Sequence, residues 1–399
     1  MQLLTQNDNA RGHKISAILM VVAILLALAM ANSPANGIYY LLHHTRVGFH
    51  IGEISYDRPF YLWVNEGLLA LFFLKVAAET KVELLHGLLS DRRARLLPAI
   101  GAIGGMVAPA AIFLIATYEF AAMRSGWAIP ISTDIVLAMG ILALMGSAAP
   151  AGAKALLAGV AVFDDLGAIL IIVFFHSGSV NLEMLIAAIL IVALMFSLSR
   201  GGLKRLSPYI FLTLVLWAVL LAAGLHATLA GVAAGFLIPS GGDDARASPL
   251  ARLDHDITPF VLFFVVPLFA FFNAGLALTA NGVSRESMPL ALGIILGLLL
   301  GKQLGVLGAI WLAVKLRLAK LPAPLDWRGV YLAAVIAGAG FTMSLFFAAL
   351  AFEAGALLDV ARLAVLIASA LATLCAVIVL RVWPKPRAVC GQKGTREDG

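Results

Sequence analysis

The chain has 399 residues, of which 62% are apolar and 13% charged, with a formal net charge of +6. Soluble domains run near 25% charged, so this composition excludes a soluble enzyme or nucleic-acid binder and leaves no soluble domain of useful size between the apolar stretches. The mean hydropathy is +0.99, and the positive excess finds its explanation in membrane topology.

Residues 1–14 are polar and precede an apolar run, Ile15 to Ala31. Arg11, Lys14 and the small residues Ala29-Met30-Ala31 resemble a signal peptide, but the run is read as a retained first span. The segment Asn32 to Tyr61 is the longest outside stretch. Its part from Phe49 to Tyr61 mixes polar and apolar residues, as a surface hairpin or an irregular loop would. Further spans fall at about 62–84, 96–118, 121–146, 152–175, 183–199, 208–221, 224–238, 257–279, 289–314, 328–350 and 358–383. The expected fold class is therefore an all-α polytopic membrane protein with about twelve transmembrane helices. Residues 1–14 and 385–399 form cytoplasmic tails around one membrane domain, 15–384. The join at Ala222-Ala223 is the weakest boundary, because only Gly224 marks a turn there. Cys375 in a span and Cys390 in the tail provide no disulfide framework.

Charge tests this count. With the N-terminus inside, 21 of the 28 Lys and Arg residues fall on inside segments or nearby helix ends, and 5 fall outside. That bias is what the positive-inside rule requires, and an error of one span would scramble it. The remaining two, Lys75 and Lys302, lie within spans.

Ionisable residues inside a membrane are functional candidates by default. The most telling stretch is Ala161-Val162-Phe163-Asp164-Asp165-Leu166-Gly167, inside an apolar run from Ala151 to Phe175. A helix of that length covers roughly 37 Å, enough to cross a bilayer. Adjacent helical residues point about 100° apart, so one aspartate is free to face a water-filled cavity while the other meets a counter-charge. Lys302 supplies a candidate counter-charge. It follows a seam of small residues, Gly293, Gly297, Gly301 and Gly305, that allows close helix contact. Asp164 or Asp165 would be its partner. Lys75 lies nearer a span end and is expected to snorkel in part. Glu66 is expected to be exposed, and Glu79 and His226 are borderline.

Two spans look interrupted. In Ile129-Pro130-Ile131-Ser132-Thr133-Asp134, the proline removes a backbone donor. Ser132 and Thr133 then offer oxygens to freed backbone groups or to an ion, and Asp134 is placed to cap the second half-helix. In Gly338-Ala339-Gly340-Phe341-Thr342, glycine permits unwinding or close packing. One interrupted span in each half of a chain is a pointer to a transporter binding site. Carboxylates that bind either a proton or a hard cation such as sodium give exchange by competition. No nucleotide motif accompanies them, so the driving force would be an ion gradient, worth about 2.3 kcal/mol per charge per 100 mV.

Four stretches carry a family resemblance: Ser132-Thr133-Asp134-Ile135, Phe163-Asp164-Asp165-Leu166-Gly167-Ala168-Ile169, His226-Ala227-Thr228-Leu229-Ala230-Gly231 and Gly340-Phe341-Thr342-Met343-Ser344. Together they resemble the NhaA-type bacterial sodium/proton antiporters, over about residues 15–383. The resemblance implies an electrogenic, pH-regulated, alternating-access exchanger of sodium or lithium for protons in the bacterial inner membrane, with no cofactor. Its NhaA-like fold has inverted-topology repeats, here about 96–175 and 289–383, and two discontinuous crossed helices; that architecture is a known property of the family.

By the same resemblance, Asp165 is the main ion and proton carrier, and sodium sits at Asp164 and Asp165. Asp164 pairs with Lys302 in one state. Thr133, Asp134, Ser132, Gly338 and Gly340 line or support the site. Glu79, Glu83, Asp254 and His255 match positions of the pH switch, and the segment 47–61 matches a dimer hairpin. The sequence departs at Glu66, where family members carry Asp, at Val82, where Arg is familiar, and at Thr258, where a second His is familiar. Lys75 is an added charge. A sodium-coupled organic-anion symporter, a passive channel and a scaffold with purely structural charges are the competing readings. His255 and His226 are also ordinary as surface and structural histidines.

Overall fold

The computed structural model describes residues 2–51, 54–87, 90, 92–146, 149–175, 181–241, 248–277 and 284–382. The first helix, α1, is Gln2–Ala31. It absorbs the polar segment expected to be a separate tail, because no Gly or Pro interrupts Arg11 to Ala31 except Gly12. After α2 (Asn36–His44), strands β1 (Arg46–Ile51) and β2 (Ile54–Pro59) form an antiparallel hairpin in which Arg46 faces Pro59 and Phe49 faces Tyr56. The fold is thus mostly helical, with one small hairpin in the segment that the sequence left open between hairpin and loop.

The chain continues through α3 (Phe60–Trp63), a π-helical turn at Val64–Leu68, and α4 (Leu69–His86). Then come α5 (Arg92–Ala116), a 3-10 helix at Ala121–Ile131, α6 (Ile135–Met145) and α7 (Ala151–Phe175). A less buried group follows: α8 (Leu182–Arg200), α9 (Leu206–Ala222) and α10 (Thr228–Leu237). The turn before α10 spans the weak boundary and holds His226, whose ring meets the edge of Phe346.

One long run joins α11 (Pro249–Phe260), a π-helical turn at Val261–Val265 and α12 (Val266–Ala274). Ser248 caps it by accepting from Ala251 N. This span starts eight residues before the sequence placed it, so Asp254 and His255 lie on a helix rather than in a loop. A second run joins α13 (Met288–Leu296), a π-helical turn at Gly297–Gly301 and α14 (Lys302–Lys315). The chain ends in α15 (Trp327–Ala337), α16 (Phe341–Ala351) and α17 (Ala356–Val382).

Among the described residues, seven helices are long and apolar enough to cross a membrane. Two bent pairs, the 3-10 helix with α6 and α15 with α16, raise the number to nine; they bend by 42° and 41° at their breaks. α9 and α10 are apolar but shorter. α4 carries Lys75, Glu79, Lys81 and Glu83, so charge counts against it. Many large apolar side chains on the outward faces, such as Leu25, Val107, Ile189 and Phe211, are exposed. That is the pattern of a lipid-facing surface, since bilayer tails are as apolar as the side chains themselves.

The main core gathers α1, α5, α6, α7, α12 to α17 and the 3-10 helix. The glycine seam explains its closest contact. A Cβ at Gly104 would lie 2.2 Å from Gly305 O, and one at Gly305 would lie 2.1 Å from Gly104 O. The backbones of α5 and α14 touch there, and only glycine permits it.

On the other side of the bundle, Asn65 and Asn273 exchange amide hydrogen bonds at 3.2 and 2.8 Å, both buried. Near the hairpin, Tyr39 Oη donates to Phe271 O at 2.9 Å, and a His43 ring nitrogen meets Phe272 O at 2.7 Å. These contacts pin α2 on the C-terminal end of α12. Burial pushes the Tyr39 phenol up to about 12 and the His43 imidazole down to about 4.

Candidate functional site

The two bent pairs meet at their breaks, and this crossing builds the site. Between the 3-10 helix and α6, residues Ser132, Thr133 and Asp134 are extended and buried. Between α15 and α16, Gly338, Ala339 and Gly340 break the second pair. Asp134 N–H donates to Ala339 O at 2.8 Å, which ties one break to the other. A Cβ at Gly340 would lie 2.8 Å from Ser132 O, and one at Gly338 would lie 2.5 Å from Leu298 O. Both glycines are where two backbones approach closely.

Asp134 is fully engaged. Its Oδ1 accepts from Leu137 N at 2.9 Å, capping α6. Its Oδ2 accepts from Thr342 N at 2.9 Å and from Thr342 Oγ1 at 2.6 Å, at the start of α16. One carboxylate therefore serves the N-terminal ends of two half-helices, where the backbone dipoles favour negative charge. Of the readings the sequence left open for Asp134, capping is the one these contacts show. Ser344 Oγ donates to Ile129 O at 2.8 Å and satisfies a carbonyl freed beside Pro130.

Asp164 and Asp165 lie midway along α7 and are buried, at 0% and 2% exposure. Lys302, also 0% exposed, donates from Nζ to Asp164 Oδ2 at 2.6 Å. The sequence left the partner of Lys302 open between the two aspartates. The structure puts it on Asp164. Thr133 Oγ1 lies 2.6 Å from the same Asp164 oxygen and 3.0 Å from Ala337 O. A hydroxyl has one proton, so Thr133 donates to one of these at a time. A π-helical turn, Gly297–Gly301, immediately precedes Lys302, and such turns are frequent at functional sites.

Asp165 differs. Neither of its carboxylate oxygens has a protein hydrogen-bond partner, and Asp164 Oδ1 and Ser132 Oγ share that condition. Buried acceptors without donors are rare and costly. Asp165 also feels the charges of Asp164, Asp134, Glu79 and Lys302. Both of its oxygens are thus open to a proton or a cation as far as the described protein groups go.

Glu79, half-buried on α4, and Asp254, half-buried on α11, lie close enough for their charges to interact. Thr258 Oγ1 approaches Asp254 Oδ1 only to 3.5 Å, a weak contact. His255 is exposed, next to Asp254 in sequence and close enough for its charge to act on it, and Glu83 lies one turn beyond Glu79. Val82 packs against a secondary apolar cluster of α8 to α10. Lys75 does not snorkel: its side chain is 4% exposed and forms an ion pair with Glu79. Glu66 is half-buried rather than exposed, and its carbonyl accepts from Trp217 Nε1 at 3.0 Å. Sequence reasoning assigned nothing to Thr342 or to the Asn65–Asn273 pair. The hydroxyl beside a glycine break was the available signal for the first; two distant asparagines gave none for the second.

A family model described as Na+/H+ antiporter 1 matches residues 7–380. The chain belongs to this family. The antiporter NhaA of Shewanella frigidimarina is 46% identical over 359 residues, covering 90% of this chain and 91% of that protein. The NhaA of Aeromonas hydrophila is 42% identical over 369 residues, 92% of this chain and 93% of its own. That of Shewanella loihica is 44% identical over 354 residues, 88% and 90%. Family membership thus spans the whole site, from α1 to the last helix.

Proposed function

We propose that this protein is a sodium/proton antiporter, a secondary transporter rather than an enzyme, acting in the bacterial inner membrane. The relatives named above are sodium/proton antiporters over nearly their whole length. The observation that carries the reading is Asp165: a buried carboxylate with no protein donor, beside an Asp164 held by Lys302 and Thr133.

In the cycle, Asp165 carries a proton when no cation is bound. Sodium takes its place at Asp165 and Asp164, with the Thr133 hydroxyl beside it. To ligate sodium, Asp164 must loosen from Lys302, so the ion pair is the charge balance of the sodium-free state. Because a buried pair costs about 3–5 kcal/mol when one partner is removed, sodium must supply the replacement charge as the ammonium leaves. With Asp164 ionised against Lys302, the second proton must come from the Lys302 ammonium, which gives it up as sodium takes over Asp164; two protons then leave per sodium and the exchange is electrogenic, with lithium accepted as another small hard cation. No cofactor takes part.

The twelve-span count, cytoplasmic termini, inverted repeats at 96–175 and 289–383, one transport domain and a pH switch at Glu79, Glu83, Asp254 and His255 complete the proposal. The crossed breaks and the bias of positive charge support the first three. The hairpin of β1 and β2 is the proposed homodimer contact.

The test is proton movement in inside-out vesicles from bacteria lacking their own antiporters. A respiration-driven pH gradient is formed, then sodium, lithium or potassium is added. Collapse with sodium and lithium, absent in Asp165→Asn, is the expected result. Sodium-dependent uptake of an organic anion without proton movement would replace this reading with a symporter.

A further inference from the structure

Lys75 is a buried charge in α4 that the exchange chemistry above leaves unused. Its backbone lies about three turns from the helix end at His86, and its side chain is buried. An unpaired buried ammonium is costly, and Glu79, one turn along the same face, provides its carboxylate. Glu79 is 36% exposed and Lys75 4% exposed. The pair therefore points from the interior toward water. Three neighbouring helices bring charge to it. Asp254 on α11 interacts with both members, His13 on α1 interacts with both and with Lys154 on α7, and Glu79 acts in turn on Asp165 of α7. Glu79 thus interacts with Asp254 of α11 on one side and with Asp165 of α7 on the other, and one ammonium sits on Glu79.

We propose that Lys75 is a positioning residue that sets sodium affinity from the cytoplasmic face, as a tethered cation competing for Glu79. This rests on the antiport reading. A cation moving toward Asp165 along these carboxylates meets Glu79 already neutralised by the Lys75 ammonium. One carboxylate carries a single negative charge and cannot neutralise two monovalent cations. Sodium must displace the ammonium or pass a site of no net charge, and either raises the concentration it needs.

The experiment measures the apparent KM for sodium and the maximal rate in inside-out vesicles, whose outward surface is the cytoplasmic face. Lys75→Met replaces the ammonium by an apolar chain of similar length, and Glu79 stays solvated at its exposed side. The expected result is a KM lowered about three- to tenfold, the scale of one charge interaction at a part-exposed site, with kcat within about twofold. Glu79→Gln leaves the ammonium unpaired and should raise KM. Lys75→Arg should retain the parent KM. Should Lys75→Met fail to reach the membrane, Lys75→Gln is read in its place. Opposite KM shifts in the two single variants support the proposal, since a packing role would change amount or stability but not KM in opposite directions. An unchanged or raised KM in Lys75→Met overturns it. Absence of sodium-driven gradient collapse in the parent protein would instead sink the antiport reading.

Discussion

Asp134 and Asp165 are both buried carboxylates at the crossing, and their surroundings give them different work. Asp134 accepts from Leu137 N, Thr342 N and Thr342 Oγ1, whereas Asp165 accepts from no protein group. Asp165→Asn should therefore abolish exchange while the protein still folds, because no partner is lost; a folded variant with parent activity would refute the carrier role. Thr342→Val removes one donor from Asp134 and should cost about 1–3 kcal/mol, read as a lower thermal midpoint in detergent, with Thr342→Ser close to the parent. The aspartate pair and Lys302 were legible in the sequence because charge in an apolar run stands out. That they pair was legible too, but the atoms that meet were not. Which oxygen meets which donor depends on the π-helical turn before Lys302 and on the extended backbone at Ser132 to Asp134, and neither has a one-dimensional signal beyond Gly or Pro nearby.

At the scale of elements, packing is decided by a few close approaches. Gly305→Ala would place a methyl 2.1 Å from Gly104 O, while nothing lies within 4 Å of a Cβ at Gly308. Gly305→Ala should destabilise by about 1–3 kcal/mol as overpacking does, and Gly308→Ala should be neutral or slightly stabilising, as alanine is the better helix former. Equal midpoints for the two would contradict the backbone contact. α2 offers a pH test. Burial above all, aided by the charge of Arg362, holds His43 down to about 4, against the pull of its hydrogen bond to Phe272 O. Below its ordinary value of 6.5 the unfolded segment binds a proton that the docked one rejects. Docking of α2 is therefore fully stabilised above about pH 6.5 and weakens as pH falls toward 4. Hydrogen exchange at Asn36–His44, corrected for intrinsic rate, should show less protection near about pH 5 than near about pH 7.5; equal protection would mean that His43 is protonated in place. The seam of glycines and both helix breaks were readable from residue type. The α1 extension and the early start of α11 were not, because polar residues at a helix end look the same whether they continue the helix or leave it.

For the whole molecule, composition and charge bias set the membrane class before any coordinate. The burial of apolar side chains toward the crossing and their exposure on outward faces follow from it. The hairpin at Arg46–Ile51 and Ile54–Pro59 was open between loop and strand pair, since mixed polarity over so few residues fits either. Its proposed role predicts that deletion of residues 47–58 shifts the detergent-solubilised protein from dimer to monomer by light scattering, with exchange retained in vesicles; an unchanged mass would place the dimer contact elsewhere. The central claim is that sodium and protons compete for one carboxylate site. Its most direct test is calorimetric sodium binding to the purified protein in buffers of different ionisation enthalpy, which counts protons released per sodium bound. Release of more than one proton per sodium, with affinity falling as pH is lowered and binding lost in Asp165→Asn, is expected. Sodium binding that releases no proton and is indifferent to pH would contradict the exchange mechanism at its root.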